Sequence, residues 1–71
     1  MFERITFEKN KLGGKACIRG LRIPVFVILG QIAEGATFEE ILDDYPSLEE
    51  EDIRESLRYA AWLAQDRVYD E

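Results

Sequence analysis

Gly13-Gly14-Lys15-Ala16-Cys17-Ile18-Arg19-Gly20-Leu21-Arg22-Ile23-Pro24-Val25 is the stretch from which the rest of the chain can be placed. The glycines at 13, 14 and 20 predict tight turns, because a residue without a Cβ accepts the backbone conformations that turns need. Pro24 predicts the opening of a helix, since its fixed φ suits the first turn. Lys15 to Ile18 then reads as a short strand between two turns. Upstream, Ile5-Thr6-Phe7 alternates apolar and polar β-favouring residues and reads as its partner, with Lys9 to Gly14 as the connection. Two strands are marginal in water, so this β-hairpin must pack on helices or on another chain. An exposed edge so short also suits a dimer contact.

Downstream of Pro24, residues 25–34 carry Val25, Ile28, Leu29 and Ile32 at i, i+3, i+4 and i+7, one face of a helix that Gly35 closes in the C′ position. Phe26 and Val27 lie off that face, so the helix is apolar around most of its circumference and has surface left for a second chain. Thr37 followed by Glu40 is a capping box, opening a helix with Phe38, Ile41, Leu42 and Tyr45 inward and Pro46 as its stop. Ser47 caps a turn through Leu48. Glu49-Glu50-Glu51-Asp52 then sits at the positive end of a long final helix. Its expected inward stripe is Ile53, Leu57, Ala60, Ala61 and Ala64, and its tail, 66–71, is expected to fray. The expected architecture is α+β and mostly α: one domain over 1–71, an N-terminal β-hairpin followed by three helices, helix-turn-helix-like around Tyr45-Pro46-Ser47-Leu48.

Size limits what this chain can do alone. At 71 residues and 46% hydrophobic content it folds around one small core rather than staying disordered. Such a core rarely supplies more than about 3–5 kcal/mol. With one cysteine and no histidine, neither a disulfide nor a metal is there to help, which points to a homo-oligomer, a dimer by expectation, or to docking on a partner. Cys17, between Ala16 and Ile18, is expected to be a small buried hydrophobe. No nucleophile–base pair or ligand set can be assembled from these residues, so no catalytic residue, cofactor or metal is expected, and an enzyme ranks behind a regulator and an interaction module. The phosphate-loop spacing is absent as well. No leader pattern and no membrane-length apolar run is present, which points to the cytoplasm and away from the membrane.

Charge divides the chain. Residues 1–24 hold six cations against two acids, whereas residues 25–71 hold three cations against thirteen acids, giving a net charge of −6. That balance argues against general polyanion binding. A local basic patch of Lys15, Arg19 and Arg22 could still grip a phosphate backbone or an acidic surface. Arg54 and Arg58 are secondary nucleic-acid candidates. Their structural alternative is a ladder of Glu50–Arg54 and Glu55–Arg58 ion pairs. Aromatic residues are favoured interface anchors, and Phe26, Trp62 and Tyr69 are the candidate partner-binding residues, with core filling as their alternative.

The run Gly13-Gly14-Lys15, Ile18-Arg19-Gly20, Arg22-Ile23-Pro24-Val25, with Gly35, Ile41-Leu42, Tyr45-Pro46, Leu48, Asp52-Ile53 and Tyr59-Ala60, resembles the prokaryotic "domain of unknown function 433" family. Ala16 and Leu21 depart from the proline and threonine that its members usually carry there. The resemblance implies a small helix-turn-helix protein, an antitoxin of a toxin–antitoxin pair. Its partner would be a PIN-like ribonuclease toxin from an adjacent gene, with double-stranded operator DNA as a further ligand. The reading from residues alone leaves open a protein–protein interaction module with no nucleic-acid binding.

Overall fold

The computed structural model describes residues 2–10 and 12–65. Strands β1 (Ile5–Phe7) and β2 (Ala16–Ile18) pair antiparallel in the register Ile5 to Ile18, Thr6 to Cys17 and Phe7 to Ala16. A 3-10 turn over Leu12–Gly14 leads into β2. After β2 the chain reverses through a second tight turn, in which the Leu21 N–H donates to the Ile18 carbonyl at 2.7 Å. Arg19 and Gly20 both have positive φ there, 45° and 71°. That conformation is ordinary for glycine and uncommon for arginine. The Arg19 N–H donates to the Arg4 carbonyl at 2.8 Å, and the Gly20 N–H to Thr6 Oγ1 at 2.9 Å, so β1 holds this turn against the hairpin.

Helix α1 (Val25–Ala33) starts with Pro24 as the extended residue before it and ends at Gly35, whose φ of 97° is the left-handed closure expected of a C′ glycine. The Ala36 N–H donates to the Gln31 carbonyl across that closure. Helix α2 (Phe38–Asp44) opens with both halves of the capping box: the Glu40 N–H donates to Thr37 Oγ1 at 3.1 Å, and the Thr37 N–H to Glu40 Oε1 at 2.8 Å. Helix α3 (Glu50–Gln65) follows the turn at Tyr45 to Glu49. The α+β, mostly helical order of hairpin and three helices agrees with the sequence expectation.

Helix α1 lies at the centre, against β2, α2 and α3. The core is Ile5, Ile18, Val25, Ile28, Ile41, Leu48 and Ile53, one or two buried aliphatic side chains from each element. Cys17 is buried beside it, as its apolar neighbours suggested.

The inward face of α3 differs from the expected stripe. Asp52, Ile53 and Ser56 are buried, with Tyr59 and Ala60 half-buried, whereas Leu57, Ala61 and Ala64 are exposed. Two polar residues occupy core-facing positions, so an apolar count around the helix places the face off to one side. Each polar group is satisfied: the Ser56 hydroxyl donates back to the Asp52 carbonyl at 2.9 Å, and the Asp52 side chain sits in an ion cluster.

Candidate functional site

Two features stand out, a closed cluster of charges and an open apolar groove. Asp52 anchors the cluster, fully buried on the first turn of α3. Its Oδ1 accepts from Arg4 Nη1 at 2.9 Å and from Arg19 Nε at 3.1 Å. Its Oδ2 accepts from Arg19 Nη2 at 2.9 Å and from the Glu49 N–H at 2.7 Å. The last bond is the return half of a capping box, which satisfies a donor at the start of α3. Arg4 Nη1 also donates to Glu49 Oε1 at 2.7 Å, the Arg4 N–H to Glu55 Oε2 at 2.6 Å, and Arg19 Nη2 to the Ser47 carbonyl at 2.8 Å.

Burial drives the Asp52 carboxyl upward. The hydrogen bonds from Arg19, the Glu49 N–H and Arg4 outweigh it, aided by the charge of Arg19, and its pKa falls below the ordinary 3.8. In return, Arg19 is held protonated more firmly by its bonds to Asp52, and Arg4 by its bonds to Glu49 and Asp52. Chemically the cluster is a staple. It ties both ends of the hairpin to the last helix, and it leaves no lone pair of Asp52 facing outward for a ligand.

This placement separates the five cations proposed for nucleic acid. Arg19 turns inward onto Asp52 and does not stand beside Lys15 and Arg22 as a ridge. Arg54 pairs with Glu50 in the expected i, i+4 manner and lies 5.7 Å from the centre of the Phe38 ring. Arg58 pairs at 2.6 Å with Glu51 rather than with Glu55, whose carboxylate is taken by the Arg4 backbone. Glu51 is correspondingly more acidic than usual, chiefly through that bond from Arg58. Lys15 and Arg22 are exposed, with no ion pair to any described residue.

The groove lies between β2, α1 and α3. Ala16, Phe26, Leu29, Tyr59, Ala60 and Leu63 line it, with Lys15 in one wall, around a volume of about 350 Å³. Its surroundings are aromatic. The Phe2 ring meets Tyr59 edge-on at 5.4 Å and Trp62 at 5.6 Å, Phe7 lies 6.2 Å from Tyr59, and Tyr59 stacks on Trp62 at 6.2 Å. Despite these contacts Phe7 and Phe26 remain 60% exposed and Trp62 40%. Phe26 and Trp62 therefore do not fill the core. Tyr69, the third expected anchor, lies outside the described residues. The residue patterns gave no sign of Phe2 and Phe7 as part of this patch, because the patch forms only when the hairpin lies against α3. Among the described residues, no helix is long and apolar enough to cross a membrane.

A hairpin stapled to a three-helix body defines a small α+β domain, and comparison with known proteins gives it a family. Residues 5–60 match the model described as protein of unknown function DUF433, and the chain belongs to that family. It is 38% identical over 58 residues to the uncharacterized protein y4eO of Sinorhizobium fredii (strain NBRC 101917 / NGR234). That match takes in 82% of this chain and 26% of the relative, so this chain spans about a quarter of that protein's length. A crystal structure of a DUF433 member protein from Anabaena variabilis ATCC 29413 is similar at a TM-score of 0.80 and 32% identity, covering 89% of this chain and 62% of that one.

Proposed function

We propose that this chain is an antitoxin-like regulator that binds a partner protein through the groove between β2, α1 and α3. One observation carries the reading: an apolar cleft ringed by exposed aromatic side chains, on a protein too small to bury them. Exposed, contiguous apolar surface of this kind marks interaction sites, and aromatic anchors in desolvated pockets dominate binding energies. Phe26 and Trp62 are the anchors, with Phe7 and Leu63 beside them. By family resemblance the partner is a PIN-like ribonuclease encoded by an adjacent gene. A second copy of the chain would compete for the same patch.

Operator binding is the weaker half. Arg19, Arg54 and Arg58 are each engaged with an acid of their own chain, which leaves Lys15 and Arg22 on a body of net charge −6. This favours the protein-binding role without a nucleic-acid one.

Co-expression with the product of the adjacent gene tests the reading. The wild-type chain is expected to co-purify with that product and relieve its growth inhibition. Trp62→Glu and Leu63→Glu, both at exposed positions, are expected to abolish both effects while the far-ultraviolet circular dichroism is retained. Unchanged co-purification by the two folded variants would rule out this groove as the partner site.

A further inference from the structure

A second groove lies on the other side of Phe26, between α1 and α2. Its walls are Phe26 and Gly30 on one face of α1, with Glu34 just past the helix end, set against Glu40 and Asp44 at i, i+4 on α2. It is a shallow, open depression of about 580 Å³. Val27 and Ala36 add to an apolar floor, and no cation is among its lining residues.

Gly30 supplies an independent observation. It sits in the interior of a nine-residue helix, where glycine is less favourable than alanine. A Cβ built there would meet nothing within 4 Å, so no internal neighbour requires the missing side chain. The open space lies in the groove. A residue that weakens its own helix without helping the packing fits a floor kept low for something from outside.

We infer that this α1–α2 groove is a docking site for a cationic amphipathic segment of a partner protein. The segment would lay apolar side chains on Phe26, Val27 and Gly30 and direct Lys or Arg toward Glu34, Glu40 and Asp44. Charge complementarity selects the occupant: three carboxylates around an apolar floor repel an acidic helix and attract a basic one. A helix of a second copy fits poorly, because residues 25–71 carry three cations against thirteen acids and the six cations of residues 1–24 lie outside its helices. The inference stands apart from the aromatic groove, with which it shares only Phe26.

A fluorescent helix-forming Leu/Lys peptide, titrated into the full chain, tests it against a Leu/Glu peptide with the same apolar face. The Lys peptide is expected to bind with strong salt dependence, and the Glu peptide not to bind. Amide shifts in a ¹⁵N-labelled chain should concentrate in 26–36, 40 and 44. Glu34→Gln with Asp44→Asn should weaken binding roughly fivefold. Glu39→Gln with Asp43→Asn, which removes equal charge from α2 outside the groove, should not. Gly30→Leu should fill the floor and weaken binding at least roughly tenfold, with a melting temperature equal to or a few degrees above wild type. Equal losses from the two charge pairs, equal binding of both peptides, or a melting temperature lowered by Gly30→Leu would each overturn the proposal.

Discussion

Arg19 grips Asp52 side-on, with Nε at 3.1 Å from Oδ1 and Nη2 at 2.9 Å from Oδ2, across 33 positions of the chain. The arginine is carried by a left-handed turn residue, and the aspartate is the most deeply buried charge among the described residues. The fork of a guanidinium matches a carboxylate in this geometry, which a lysine cannot reproduce.

Removing the carboxylate should weaken the fold. Asp52→Asn leaves Arg4 and Arg19 facing a neutral amide, but both side chains are about one-third exposed, so water solvates the charges left behind. The loss is that of charge-assisted hydrogen bonds at a buried acceptor, about 1–3 kcal/mol. Urea denaturation followed by circular dichroism is therefore expected to find Asp52→Asn folded, with a clearly lowered midpoint. Arg19→Lys should lower the midpoint by less, because one hydrogen bond and the charge survive.

Acid should act on the same group. The Asp52 pKa is lower in the folded chain than in the unfolded one, so the unfolded state binds the proton more readily. Its stabilisation is complete above the unfolded value, about 4, and is lost as pH falls through the lower folded value. Glu51 adds a contribution of the same sign. The urea midpoint is expected to be flat from neutral pH down to about pH 5 and to fall steeply below about pH 4. In Asp52→Asn, that fall should be shallower.

Helix α3 offers a test of its rotation. Ile53 is fully buried and Leu57 is 37% exposed. Ile53→Ala is expected to cost about 2–5 kcal/mol, the range of a buried aliphatic truncation, and Leu57→Ala less than half as much. Equal effects in chemical denaturation would place the inward face where the apolar count puts it.

Thr37→Ala should cost about 1 kcal/mol, since it removes the hydroxyl that receives the Glu40 N–H at the start of α2. The loss should appear as a shift in urea midpoint with an unchanged slope.

For nucleic acid the expectation is asymmetric. In a salt titration with a promoter-length duplex, any binding by the isolated chain should be weakened by Lys15→Ala with Arg22→Ala. Arg54→Ala with Arg58→Ala should leave it nearly unchanged, because both of those guanidinium groups already face acids on their own helix.

Signals confined to neighbouring residues were legible in the sequence. Thr37 with Glu40, Gly35 after an apolar stripe and Pro24 before one each carry their geometry within a few positions, and Ile5-Thr6-Phe7 and Lys15 to Ile18 are joined by a single short turn. What joins distant positions was not. Arg4 and Arg19 look like surface cations until the hairpin meets α3, and Asp52 looks like one more acid favoured by a helix dipole. Ser56 and Asp52 in the buried face then disguise the period of α3. The candidate groove shares this origin: Phe26, Tyr59 and Trp62 could be singled out by type, with Tyr59 and Trp62 three positions apart on α3, but Phe2 and Phe7 join them only through tertiary packing.

The solitary sulfhydryl of Cys17 has a practical consequence. It is shielded on the face of the strand pair that also carries Thr6, opposite Ile5 and Ile18, and it forms a bridge with Pro24. A thiol reagent can reach it only when the turn between Arg19 and Pro24 lifts from the strands, so labelling kinetics would clock that opening directly. The molecule carries its own stopwatch for the loosening of this turn, and weakening the grip on Arg19 should make it run faster.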